Sequence, residues 1–238
     1  MRIKHTPPSF DLSSLPNVGL LVFEEDPTSG PAMHSLFAEV ARVQVARMPF
    51  PSSVPDPLAA IKLAASSILP SAAPDVIGVA CTTLGMAFGA ERLSQAVSRP
   101  GQDISACDPI HAALAAFRRL EVQRLGIVCP YDVATAERLA AYVEAAGTRV
   151  TAIDIMNAPN AAIPHVSARS LATAVRKVVP GADAVFVSCT GLDVLPIASS
   201  LGAELQLPVM GSIQVMAWAI AERIGVRLNA MGSQFTVP

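Results

Sequence analysis

The strongest constraint on the fold is that the chain repeats itself. Asp75-Val-Ile-Gly-Val-Ala-Cys81-Thr-Thr-Leu84 lies over Asp183-Ala-Val-Phe-Val-Ser-Cys189-Thr-Gly-Leu192 with five of ten positions identical, and Cys189 stands 108 residues after Cys81. Near the same offset, Gly19-Leu-Leu-Val resembles Gly126-Ile-Val-Cys, each inside an opening apolar run. A ten-residue match can arise by chance in an Ala/Val-rich chain. That both cysteines close both apolar runs argues against chance. Two similar halves follow, each of about a hundred residues and large enough for its own core.

Within each half, short β-branched runs alternate with alanine-rich stretches of helical period. Strands are expected at 18–23, 43–48, 75–80, 103–106, 124–129, 148–155, 184–188 and 208–210. Helices are expected at 31–40, 57–69, 90–97, 109–120, 135–146, 168–179, 194–205 and 213–224. Alternation of this kind predicts the α/β class, with parallel sheets flanked by helices in two halves related by a pseudo-two-fold. Residues 1–16 read as a loose tail, 17–121 as the first half, 122–225 as the second and 226–238 as a C-terminal tail. The C-terminal helix is free to add to the first half.

Composition then removes several classes. Hydrophobic residues make up 52% and charged residues 15%, which raises the question of a membrane protein. The longest uncharged run, 205–221, contains Pro208, Gly211, Gln206 and Gln214, and reads as a strand and turn rather than a span of about 20 apolar residues. The excess of alanine and valine suits parallel strands covered on both faces. Net charge is −2 with no basic run, so nucleic acid is not an expected partner. No apolar segment directly follows the N-terminal lysine and arginine, so no signal peptide is expected and a cytoplasmic location is. The four cysteines, Cys81, Cys107, Cys129 and Cys189, show no CxxC spacing and no metal set, which favours reduced thiols. Gly85-Met-Ala-Phe-Gly89 lacks the glycine spacing of a dinucleotide loop, and no cofactor is expected.

In open α/β sheets, ligands bind beyond the carboxyl ends of the strands. Cys81 and Cys189 both fall there, each followed by threonine and a turn. Backbone N–H groups in such a turn, with a helix dipole behind them, attract anions and stabilise a thiolate. Two thiols facing one carbon across a cleft can move a proton from one face to the other. Alternatively, one adds covalently while the other manages the proton. A lone cysteine is more often buried core than reactive. Two at equivalent repeat positions, both at strand ends, favour chemistry. Cys107 and Cys129 lack this context and read as structural.

These motifs resemble the aspartate/glutamate racemase superfamily, nearest its maleate isomerase and arylmalonate decarboxylase branch. Ala80-Cys81-Thr82-Thr83 is similar to the first cysteine segment of maleate isomerases. Ser188-Cys189-Thr190-Gly191-Leu192 with Leu195-Pro196-Ile197 is similar to the second. Pro208-Val209, Ser212, Gln214 and Ala217-Trp218 keep the spacing of the family's closing strand and helix. The resemblance implies Cys81 as nucleophile or first base and Cys189 as the opposing acid. It also implies a small carboxylic acid held by Thr82, Thr83, Tyr131, Asn160 and the Thr190-Gly191 turn, and a homodimer or larger homo-oligomer. Arylmalonate decarboxylases lack the first cysteine, so the pair favours an isomerase or racemase over a decarboxylase. A non-catalytic binder of small acids would need only the cleft.

The chain departs from the pattern in two places. Glu24-Glu25-Asp26-Pro27-Thr28 stands where maleate isomerases carry a Ser-Ser-Asn-Thr-Thr-type loop, and ectoine-utilisation-type members resemble this chain in having aspartate there. Asp26 reads either as a solvated acidic loop residue or as a seat for a substrate ammonium. Gly191 replaces the usual asparagine. The four histidines, His5, His34, His111 and His165, are scattered and read as surface or loop, and Trp218 reads as core or interface.

Overall fold

The computed structural model describes residues 15–68, 73–99, 101–102 and 104–228. Most of both tails, together with Leu69 at the end of one expected helix and Asp103 at the start of one expected strand, lies outside them. Two four-stranded parallel sheets form, each from one stretch of chain. The first contains β1 (Asn17–Phe23), β2 (Arg42–Met48), β3 (Val76–Val79) and β4 (Ser105–Cys107) in the order β2-β1-β3-β4. The second contains β5 (Arg124–Cys129), β6 (Arg149–Ile155), β7 (Ala184–Val187) and β8 (Val209–Gly211) in the order β6-β5-β7-β8. The two orders are the same with every strand shifted by four, which is the repeat expressed as topology. Both halves are therefore α/β units of one design.

The inner strands explain the apolar runs. Every residue of β3 and of β7 is buried, as helices cover both faces of a parallel sheet. Each such valine or isoleucine stabilises the fold by about 1.5–3 kcal/mol relative to an exposed one. The helices are α1 (Ser29–Leu36), α2 (Pro57–Ser66), α3 (Thr82–Val97), α4 (Pro109–Arg119), α5 (Val133–Ala145), α6 (Ala168–Val178), α7 (Leu195–Leu205) and α8 (Ser212–Ile224). Aspartate carboxylates cap three of them. Asp56 accepts from Leu58 and Ala59 N–H, Asp108 from Ile110 and His111, and Asp132 from Thr135. In α2 and α4 a proline occupies the first turn, where no amide is needed.

The expected helix at 90–97 is a correction: α3 starts at Thr82, immediately after Cys81. Gly85 and Gly89 make 82–89 read as loop, yet Gly85 serves packing, because a Cβ there would collide with the Asp108 carboxylate. Gly89 kinks the helix at φ 73° and ψ 162°.

The last helix crosses between the halves. Although α8 follows β8 in the chain, it lies against β3, β4 and α4 of the first half. Gly78 of β3 makes room for it, since an added Cβ would sit 3.2 Å from Ile220 Cδ1 and 3.4 Å from Met216 Cε. Arg223 then donates to the Ala106 carbonyl at 2.6 Å. In the other direction, Phe117 of α4 meets Phe186 of β7 edge-on, with ring centres 5.6 Å apart. One continuous core runs through both halves and includes Leu20, Ile127, Phe186 and Met216. Among the described residues, no helix is long and apolar enough to cross a membrane.

Candidate active site

A cavity of about 540 Å³ opens where the carboxyl ends of the two sheets meet. From the first half, Asp26, Cys81, Thr82 and Thr83 line it; from the second, Tyr131, Asn160, Cys189, Thr190 and Gly191. The structure thus gathers every residue that the sequence singled out for the site. Cys107 and Cys129 are buried elsewhere, as core residues of their strands, with burial pushing their thiols up to about 12 and about 11.

The two cysteine turns are built differently. Cys81 has extended backbone (φ −153°, ψ 113°) and is the cap residue of α3, so the helix begins at its sulfur. Its Sγ lies 3.2 Å from Thr83 Oγ1. Burial raises the thiol's pKa, while the Thr83 hydroxyl and the Leu84 and Thr83 amides pull it down. Cys189 instead has φ +98°, left-handed backbone that a side-chain-bearing residue rarely adopts, and α7 starts only at Leu195. Burial pushes the Cys189 thiol up to about 12, and negative charge on Cys81 and Asp26 adds to the rise. The Gly191 amide and the Tyr131 hydroxyl act the other way.

Ser212, the first residue of α8, ties the two turns together. Its hydroxyl accepts from the Cys189 amide at 3.0 Å and lies 3.3 Å from Thr82 Oγ1. Thr190 adds a second link, donating to the Ala80 carbonyl at 2.9 Å. Tyr131 lies 3.3 Å from Ser188 Oγ, and burial first, then the nearby Cys189, raises its pKa well above the usual phenol value. Its hydroxyl therefore keeps its proton at neutral pH and can serve as a hydrogen-bond donor.

Asp26 is neither solvated nor free. It is buried, and its carboxylate accepts the Thr28 and Ser29 amides at 2.8 and 2.9 Å and the Ser29 hydroxyl. The reading of a solvated acidic loop therefore fails at this residue, although Glu24 and Glu25 are exposed. Behind the loop, Arg47 Nη1 donates to the carbonyls of Phe23, Glu24 and Asp26. Phe23 and Phe50 also line the cavity, their rings stacked at 4.5 Å, and Asn157 joins Asn160 on the opposite wall. Sequence reasoning passed over Phe23, Phe50, Asn157 and the bridging role of Ser212. The repeat held a signal for two of them, since Phe50 follows β2 as Asn157 follows its counterpart β6. Trp218 is partly buried against the core. Among the described residues, no group of three His, Cys, Asp or Glu side chains could hold a metal.

Two matched α/β halves that close on a cleft carrying a thiol from each define a class of pseudo-symmetric cysteine enzymes. The chain belongs to the arylmalonate decarboxylase family, whose sequence model matches residues 61–235. A maleate isomerase of Nocardia farcinica (strain IFM 10152) is 26% identical over 174 residues, 68% of each chain. The fold is shared with the maleate isomerase Iso of Pseudomonas putida S16 (TM-score 0.82, 19% identity, 94% of this chain and 100% of that one). It is shared too with a Cys-to-Ser variant of the Nocardia farcinica maleate cis-trans isomerase that carries a covalently bound succinylcysteine intermediate (TM-score 0.78, 23% identity, 90% and 94% covered). The chain is thus an enzyme in a branch that contains isomerases and decarboxylases.

Proposed function

We propose that this enzyme is a cofactor-independent cis–trans isomerase of a small unsaturated carboxylic acid, with Cys81 as nucleophile and Cys189 as proton carrier. The observation that carries the reading is the unequal pair of thiols in one cavity. Cys81 stands at the start of α3 with Thr83 Oγ1 3.2 Å from its sulfur, and burial raises its pKa; Cys189, in a left-handed turn beside Asp26, is pushed up to about 12. In the forward step, Cys81 thiolate forms a C–S bond to one alkene carbon, and the electron pair moves to the neighbouring carbon. Cys189 gives its proton to that carbon, leaving a saturated thioether whose central bond rotates. Cys189 then takes the proton back, the C–S bond breaks, and the trans acid leaves with Cys81 again a thiolate. Thr82, Thr83, Tyr131 and Asn160 would hold a substrate carboxylate, because a carboxylate taken from water without donors is costly. The succinylcysteine trapped on the Nocardia farcinica relative is the adduct such a step would leave.

Acid-quench mass spectrometry with a turning-over substrate should find the adduct on Cys81, and proton NMR in D2O should show the cis olefin signals replaced by trans ones. Exchange at a saturated Cα without olefin isomerisation would instead identify a racemase working through the same two thiols, and loss of CO2 a decarboxylase. The family resemblance also favours a homodimer or larger homo-oligomer, which sedimentation equilibrium reads directly.

A further inference from the structure

The two flanks of the thiol pair differ in chemistry. On one flank stand hydroxyl and amide donors: Tyr131, Thr82, Thr83 and Asn160. The other flank, made by the loops after β1 and β2, presents Asp26, Glu25 and the stacked Phe23 and Phe50. Asp132, next to Tyr131, also reaches the lining, but it is exposed and its carboxylate takes the Thr135 amide at 2.7 Å. No lysine, arginine or histidine lines the cavity among the described residues. The start of α1 would be the natural anion seat on the acidic flank, but the Asp26 carboxylate already takes the Thr28 and Ser29 amides there. The Arg47 guanidinium is turned to three backbone carbonyls behind the loop. A substrate with a carboxylate at each end would therefore set its second charge against Asp26 with no cation to offset it.

Resting on the isomerase site described above, we infer that the substrate carries a single carboxylate. That carboxylate sits on the Tyr131 flank, and a hydrogen-bond-donating group that is not anionic, a carboxamide or an ammonium, faces Asp26 and the Phe23–Phe50 pair. A carboxylate at this second position is rejected by like charge, which is discrimination against the wrong ligand rather than added affinity for the right one.

The test uses the intact enzyme and protection of Cys81 from iodoacetamide, read by mass spectrometry, with olefin isomerisation followed separately by NMR. The probes are maleate, maleamate and (Z)-4-aminobut-2-enoate. At least one of the two singly carboxylated probes should protect at a concentration about ten-fold or more below maleate, and the better of them tells carboxamide from ammonium. In Asp26→Asn, which keeps an acceptor for the α1 amides, that preference should fall toward unity. Glu25→Gln, at an exposed position, should lower it in the same direction should Asp26→Asn fail to fold. Maleate protecting as well as or better than both other probes overturns the inference, as does protection by neither. Protection by maleamate or the amino acid without isomerisation leaves the substrate class standing and removes the isomerase reading. Isomerisation of maleate at the lowest concentration does the reverse.

Discussion

The turns at Cys81 and Cys189 begin from ten-residue segments identical at five positions and end in different geometries. After Cys81 the chain enters a helix at once. After Cys189 it passes through left-handed backbone and reaches its helix only at Leu195. Duplication thus gave two thiols at equivalent strand ends, and the local backbone then separated their acidities. Burial raises both thiols; the Thr83 hydroxyl and the Thr83 and Leu84 amides oppose it at Cys81, while negative charge on Asp26 and Cys81 adds to it at Cys189. Sequence identity between repeats transmits position more faithfully than it transmits electrostatics.

The sharpest way to break this comparison is to replace each sulfur in turn. Cys81→Ser should lower turnover by about 10³-fold or more and abolish the adduct, because a serine hydroxyl is far less acidic than a thiol. Cys189→Ser should also lower turnover, by about 10²–10³-fold, yet leave Cys81 open to alkylation and able to carry substrate. Equal loss of adduct in both variants would show that the two thiols are interchangeable. The pH profile sharpens the same point. Cys81 must be deprotonated to attack, and its pKa is raised, so kcat/KM should climb about ten-fold per pH unit from neutral into the alkaline range. Cys189, near 12, should cause no fall before strongly alkaline pH. A bell with its maximum near pH 7 would mean that the sulfurs titrate in another order.

Smaller effects test the surroundings. Tyr131→Phe should raise KM or lower kcat by about ten-fold while leaving the fold intact, since the ring stays and the hydroxyl that meets Ser188, Thr82 and Cys189 is lost. Kinetics equal to wild type would reduce Tyr131 to packing. The smallest effect is one of stability. A non-glycine residue at φ +98° stores strain of about 1–3 kcal/mol, so Cys189→Gly should raise the urea midpoint while abolishing turnover. The same replacement at Cys81, where the backbone is extended, should lower the midpoint. That opposition of sign is the measurement to make.

Much of this was legible in the chain. Val76–Val79 and Ala184–Val187 are apolar on both faces, which identifies inner parallel strands, and the repeat then placed both cysteines and the cleft. Tyr131, Thr82 and Asn160 arrive in the cavity as the family resemblance implies. What stayed hidden depends on residues distant in sequence. The start of α3 was missed because Gly85 and Gly89 look like loop residues, and only the Asp108 carboxylate packed over Gly85 shows the reason for the first glycine. The left-handed turn at Cys189 was invisible because its near copy at Cys81 is extended. Its amide is held by Ser212, a residue that also reaches Thr82 across 130 positions of chain. Asp26 was read as solvated or as an ammonium seat; the solvated reading fails because the carboxylate is bound to its own helix start, a local bond no pattern of charges announces.

The crossing of α8 onto the first sheet also bears on synthesis. When residues 17–121 have left the ribosome, β3 and β4 still lack the helix that covers one of their faces, because Ser212–Ile224 follows the whole second sheet in the chain. Gly78 and its neighbours therefore present an uncovered apolar surface until that helix has been made, the kind of surface that chaperones bind and that aggregates when crowded. The same connection ties the two halves together: thirteen helical residues that follow the second sheet are packed against the first.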